Sequence, residues 1–204
     1  MTIQLGVLVS GSGSNLQALI DAIAAGGVDA EIAVVISSRP GVLALARAEQ
    51  AGIETVALSP DDYRYPAVAD KRIASELTAR NVDYVVMAGY MRMLGSRVLS
   101  AFPDRVINLH PALLPSFPGA RGIEDAIKAG VKVTGVTVHF ANEVYDEGPI
   151  IAQRAVPVLE GDSIESLSAR MHEVEHELLP EVVRLCAEGR VRIDSDRIVR
   201  IDHE

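Results

Sequence analysis

The sequence carries a single cysteine, Cys186, so no internal disulfide forms and a reducing cytoplasm is the expected setting. Cys186 falls in an apolar helical pattern, which assigns it to packing rather than to thiol chemistry. No apolar run approaches the ~18 residues of a membrane span. The opening stretch, MTIQLGVLVSG, lacks the basic start and small-residue cleavage site of a signal peptide, so no leader is expected. Linkers, internal repeats and low-complexity tracts are missing as well. No dense lysine and arginine cluster offsets the net charge of −9, which argues against a nucleic-acid partner. An anionic small molecule stays compatible with that charge. Screening confines the adverse field to about 8 Å at physiological salt, and a nest of backbone amides overrules it locally.

What is present is one substantial core: 204 residues, 49% hydrophobic, expected as one domain. Short β-rich runs alternate with helical patterns. IQLGVLV (3–9), EIAVVIS (31–37), ETVAL (54–58), DYVVMAG (83–89) and RVINLH (105–110) read as strands, with helices over about 14–25 and 42–51, one reaching about Arg80, and a short one before Arg105. This order predicts an open, mostly parallel α/β sheet with helices on both faces. The first, second and fourth runs are nearly all apolar, as strands covered on both faces are. The second half differs. KVTGVTVHF (132–140) and GPIIAQRAVPV (148–158) read as neighbouring strands that form an antiparallel portion. A long helix over about 163–188 follows, with Pro180 expected to kink it. The tail, 191–204, reads as a small exposed hairpin, and His203 within it is assigned no role.

Three stretches carry chemistry. After the first strand comes SGSGSNLQAL (10–19), where Gly11 and Gly13 turn the chain into a helix starting at Ser14. The first helical amides and the helix dipole favour a phosphate there. The bland alternative is a glycine-rich turn with Ser14 as helix cap. A dinucleotide fingerprint fits less well, since Leu16 stands where a third glycine belongs and Ser37, Ser38 and Arg39 replace an acid. That ending keeps an NADP oxidoreductase as a distant alternative.

The second stretch is INLHPALLPSFPG (107–119). Asn108 and His110 stand two apart, on one face of a strand, at its carboxyl end. Pro111, Pro115 and Pro118 then restrict the loop behind them. A carboxamide donates to an oxygen gaining charge, and an imidazole moves protons near neutral pH. Neither is a strong nucleophile in place, so the pair suits a substrate that brings its own. A buried histidine beside a strand-end asparagine is the competing reading. The third stretch, NEVYDEGPII (142–151), offers Asp146 as an acid that orients an imidazole or a water. Locally it reads equally as turn chemistry.

Together with AGYMRML (88–94) and GVTVHF…VYDEGPI (135–150), these stretches resemble the glycinamide ribonucleotide formyltransferases over roughly residues 3–185. The resemblance implies the formyltransferase fold, with a Rossmann-like phosphate-binding half (1–100), a catalytic and folate-binding half (101–190) and a C-terminal tail (191–204). It implies transfer of a formyl group from 10-formyltetrahydrofolate, a co-substrate, to the amine of glycinamide ribonucleotide in purine synthesis. Asn108, His110 and Asp146 would act on the tetrahedral intermediate. Gly13, Ser14 and Asn15 would grip the phosphate, with Glu175 on the nucleotide substrate. Met91, Arg92, Met93 and Leu94 would line the folate pocket. Small molecules are the expected partners, not nucleic acid or membrane, and a homodimer is compatible with the resemblance. Rivals are a formyltetrahydrofolate hydrolase, a methionyl-tRNA formyltransferase, and a folate- or nucleotide-binding protein without turnover. Both enzyme rivals usually bring an extra domain.

Two positions depart from the family. Arg121 follows the Pro-Gly where many members carry a histidine. Glu147 replaces the first glycine of a common Asp-Gly-Gly-Pro turn, placing a charge that would raise the pKa of Asp146. Two further motifs compete for attention. His172-Glu173-Val174-Glu175-His176 matches H-E-x-x-H on a helix, but no third ligand follows, so no metal is expected. His139 ends a strand and is a lesser candidate for lining the pocket. Arg64, in a loop, is a candidate to reach the phosphate.

Overall fold

The computed structural model describes residues 2–202; His203 lies outside them. The chain runs β1 (Ile3–Val9), α1 (Ser14–Ala24), β2 (Ala30–Ser37), α2 (Leu43–Gln50), β3 (Thr55–Ala57), a 3-10 turn (Asp62–Arg64), α3 (Pro66–Ala79), β4 (Tyr84–Met87), α4 (Ser96–Ala101), β5 (Val106–His110), α5 (Gly122–Ala129), β6 (Val133–Phe140), β7 (Ile150–Pro157), α6 (Ile164–Ala187), β8 (Val191–Ile193) and β9 (Val199–Ile201). Seven strands form one sheet in the order β3-β2-β1-β4-β5-β6-β7. The first five of these are parallel, β6 adds antiparallel to β5, and β7 adds antiparallel to β6. The chain leaves β1 toward β2 on one side and returns to β4 on the other. That change of direction opens a crevice at the carboxyl ends of the strands.

The side-chain period of a strand sorts residues between the two faces. Leu5, Val7 and Val9 of β1, Val86 of β4 and Ile107 of β5 join Leu16, Leu19, Leu167, Met171 and Leu178 in the core beneath α1 and α6. Leu8, Val85, Met87 and Val106 face the other way, onto Ile73 and Leu77 of α3 and Val98 and Phe102 of α4. Asn108 and His110 share the parity of Val106, so they belong to the α3/α4 face. Leu109 belongs to the α1/α6 face.

α6 is one continuous helix through Pro180, opened by a reciprocal cap between Ser163 and Ser166. α5 was not anticipated from the sequence. β6 alternates in sequence yet is buried at every residue but its first, because β5 and β7 flank it and helices lie against it. β7 is the edge strand and keeps the alternation. β8 and β9 form the tail hairpin. Among the described residues, no helix is long and apolar enough to cross a membrane.

Candidate active site

The glycine loop puts its first subsite at the start of α1. Gly13 takes a left-handed backbone (φ 73°) and is itself the cap residue; no side chain caps the helix. Ser14 is therefore the first helical residue, not the cap. The leading amides point outward, as an anion site requires. A Cβ on Gly13 would lie 2.6 Å from Cβ of Ala44, so α2 holds this turn from behind. Gly13, Ser14 and Asn15 line one pocket together with Ser10, Arg39 and His172. Arg64 is exposed and does not line it; Arg39, whose Nε donates to the carbonyl of Ser10 at 2.9 Å, does. The β3–α3 loop carries Arg64 away from the crevice, whereas Arg39 follows the carboxyl end of β2 directly.

Asn15 and His172 also line the adjoining pocket, with Leu109, Pro111, Arg121 and Glu175. Glu175 is buried, and its Oε2 accepts from Asn15 Nδ2 at 2.9 Å and from His172 Nδ1 at 2.8 Å. That hydrogen bond pushes the His172 pKa up, against the effect of burial. His172 is thus committed to Glu175, and its ring stacks on His176 at 6.2 Å. Among the described residues, no group of three or more His, Cys, Asp or Glu is placed to hold a metal ion.

On the opposite face of the sheet lies a second cleft. Arg92, Met93 and Leu94 line it, with Asn108, His139 and Asp146 along its inner wall. Met91, expected there, instead lines the two pockets on the α1 side. The loop that carries these four residues therefore straddles the rim of the sheet.

Strand pairing brings the polar groups together. Asn108 lies opposite His139 in the β5–β6 register, and Asn108 Nδ2 is 3.0 Å from His139 Nε2. His139 Nδ1 lies 3.1 Å from the carbonyl of Phe140, which only accepts, so Nδ1 carries the proton. Nε2 then accepts one N–H of Asn108 and leaves the amide's second N–H for the cleft.

Asp146 comes from the β6–β7 connection. Its backbone is left-handed (φ 56°), and Gly148 packs so closely on the carbonyl of Phe140 that no Cβ fits. Asp146 Oδ2 accepts the Gly119 N–H at 2.8 Å and lies 3.4 Å from His110 Nδ1, while Oδ1 lies 3.7 Å from His139 Nε2. At 3.7 Å the His139 contact is electrostatic rather than a hydrogen bond. Burial would raise the Asp146 pKa, but contacts with His139, the Gly119 N–H and His110 outweigh it, and the carboxyl is held below the ordinary range. The expected rise from Glu147 is not found: its side chain is exposed and does not counter the imidazoles.

His110 is buried and does not line the cleft; its Nε2 donates to the carbonyl of Phe117 at 2.9 Å. Both of its nitrogens thus face oxygens that accept, which fixes the ring between the Phe117 carbonyl and Asp146. The proline loop behind it is held by more than prolines. Thr137 Oγ1 donates to the carbonyl of Ala112 and accepts the Leu114 N–H, and Gln153 Nε2 donates to the carbonyl of Leu114.

Comparison with known proteins bears on this arrangement. The sequence profile of formyl transferases matches residues 3–183. The chain belongs to the formyl transferase family. Within it, the chain is 48% identical to the crystal structure of glycinamide ribonucleotide transformylase 1 from Symbiobacterium toebii, with a TM-score of 0.96, covering 99% of this chain and 95% of that one. It is 38% identical over 181 residues to the phosphoribosylglycinamide formyltransferase of Bacillus subtilis, covering 89% of this chain and 93% of that protein. It is also 42% identical over 195 residues to the trifunctional purine biosynthetic protein adenosine-3 of Drosophila melanogaster. That match covers 95% of this formyl transferase but only 14% of the length of the larger protein.

Sequence reasoning missed Ser10 and Arg39 as pocket residues, and Asn142–Tyr145, which line the cleft beside Asn108. It gave His139 a lesser place than its contacts justify. Alternation along β6 puts His139 and Thr137 on one face, which is the signal that was available.

Proposed function

We propose that this chain transfers the formyl group of 10-formyltetrahydrofolate to the amine of glycinamide ribonucleotide, giving formylglycinamide ribonucleotide and tetrahydrofolate. The observation that carries this reading is the placement of Asn108, His139 and Asp146 on the wall of one cleft, at a rim whose other side is a phosphate-type pocket. None of these three side chains is a strong nucleophile in place, which fits a reaction between two bound substrates.

In this reading the phosphate rests on the α1 amides, Glu175 holds the nucleotide, and the amine reaches over the rim to the formyl carbon. A C–N bond forms, and the carbonyl pair moves to oxygen, where the free N–H of Asn108 stabilises it. The C–N10 bond then breaks, N10 takes up a proton, and the amine gives one up. Asp146 orients the His110 ring for that exchange. Holding both reactants in one place accounts for a large part of such a rate. The substrates are small molecules, and the lone thiol suits a cytoplasmic enzyme.

Consumption of 10-formyltetrahydrofolate, followed with and without glycinamide ribonucleotide, tests the proposal. Consumption only with the amine is expected. Equal loss without it would make water the acceptor and the chain a hydrolase. No loss in either case would leave a binding protein.

A further inference from the structure

The loop after β4 is pinned at both ends by side chains that belong to neither subsite wall in the folate-side cleft. At its far end, Asp70 of α3 is buried at 7% exposure, and its two oxygens accept the backbone N–H of Gly95 at 2.7 Å and of Arg97 at 2.9 Å. At its near end, the N–H of Met91 donates to Ser10 Oγ at 2.9 Å, and that hydroxyl is 2.7 Å from the hydroxyl of Ser38. Between the two anchors, Met91 and Met93 are more than 70% exposed. Such apolar exposure survives in one conformation only if the backbone beneath is fixed.

We propose that Asp70 is a positioning residue for the formyl donor, and that Ser10 couples the same loop to the phosphate pocket. This inference rests on the transfer reading above. The two hydrogen bonds of Asp70 end on the backbone that continues from Arg92, Met93 and Leu94 into α4. Its carboxylate accepts two N–H groups, both from the loop. Ser10 differs: it lines the phosphate-type pocket and holds Met91 there. Loss at Asp70 should therefore weaken one substrate, and loss at Ser10 both.

Gly95 supplies an independent handle. A Cβ there would lie 2.6 Å from Asp70 Oδ2, and its backbone (φ −90°) is open to any residue. Gly95→Ala thus displaces the carboxylate without straining its own backbone.

The test is calorimetric titration of wild type, Asp70→Asn, Gly95→Ala and Ser10→Ala with 10-formyltetrahydrofolate and, separately, with glycinamide ribonucleotide. Asparagine keeps the shape of Asp70 but turns an N–H toward one of the two donors. A charge-assisted bond lost in this way should weaken donor binding about tenfold or more. Ribonucleotide binding should stay within about twofold in Asp70→Asn and Gly95→Ala, and both affinities should fall in Ser10→Ala. Unchanged donor affinity in the folded Asp70→Asn and Gly95→Ala proteins overturns the inference, as does an equal loss for both substrates, which marks general loosening of the scaffold. If Asp70→Asn does not fold, Gly95→Ala decides alone. A wild type that binds no donor overturns the transfer reading itself, and this inference with it.

Discussion

Asp146→Asn separates an electrostatic role for Asp146 from simple turn chemistry. The substitution is nearly isosteric, and asparagine tolerates the left-handed backbone at this position as well as aspartate does. The Gly119 N–H keeps an acceptor in the remaining carbonyl oxygen. What disappears is the negative charge 3.4 Å from His110 Nδ1 and 3.7 Å from His139 Nε2. Losing a preorganised electrostatic contact of this kind costs about 2.7–4 kcal/mol, or a 10²–10³-fold fall in kcat. Steady-state transfer assays from pH 6 to 9, with both substrates varied, read this directly. The ribonucleotide KM should move little, since Asp146 does not line the pocket at the start of α1. The sign of the pH effect is also set. The native carboxyl is held below the usual 3.8, so its contribution to stability is complete above that value. It is lost only as pH falls through the lower native pKa. Any acid limb above pH 5 therefore belongs to other groups. A kcat within threefold of wild type across this range would refute the electrostatic role and return Asp146 to the turn.

One further substitution and one chemical probe bear on other parts of the molecule. Gly13→Ala forces a left-handed alanine against Ala44, and should weaken ribonucleotide binding at least about tenfold while sparing the formyl donor; equal affinity in titration would remove the glycine turn from the phosphate site. Burial pushes the Cys186 thiol up to about 12, so iodoacetamide should label it only as the protein unfolds in urea; rapid stoichiometric labelling of native protein would contradict its place in the core.

How much of this was legible in the sequence depends on what each part relies on. β1, β2 and β4 are covered on both faces, and burial writes itself into the chain as apolar runs such as LGVLV and AVVIS. The parallel half was therefore readable, as was the antiparallel pairing of β6 with β7. α5 was not. Its eight residues follow a run of prolines and glycines, and no side chain caps its start, so punctuation hid the helix. Asn108 and His110 sharing a face follows from a period of two. Which of them opens to the cleft does not, because the Phe117 carbonyl that covers His110 arrives from a loop with its own left-handed residue. Asp146 carried no local signal beyond a turn; its value comes from a fold that lays residue 146 over residues 110 and 139. Met91 parts from Arg92, Met93 and Leu94 for the same reason: the loop that carries all four crosses the sheet rim.

The β5–β6 ladder has a bearing on how this protein tolerates insertions. Asn108 meets His139 because Leu109 pairs with Val138 and His110 with Thr137. Adding a single residue within β6 would turn its side chains over and offer valine to the amide in place of imidazole. An insertion in the loop between α5 and β6 would leave that alignment intact. The chemistry of the crevice is thus indexed by a ladder of backbone bonds: length variation can accumulate on the connections, while the strand itself must be copied residue for residue.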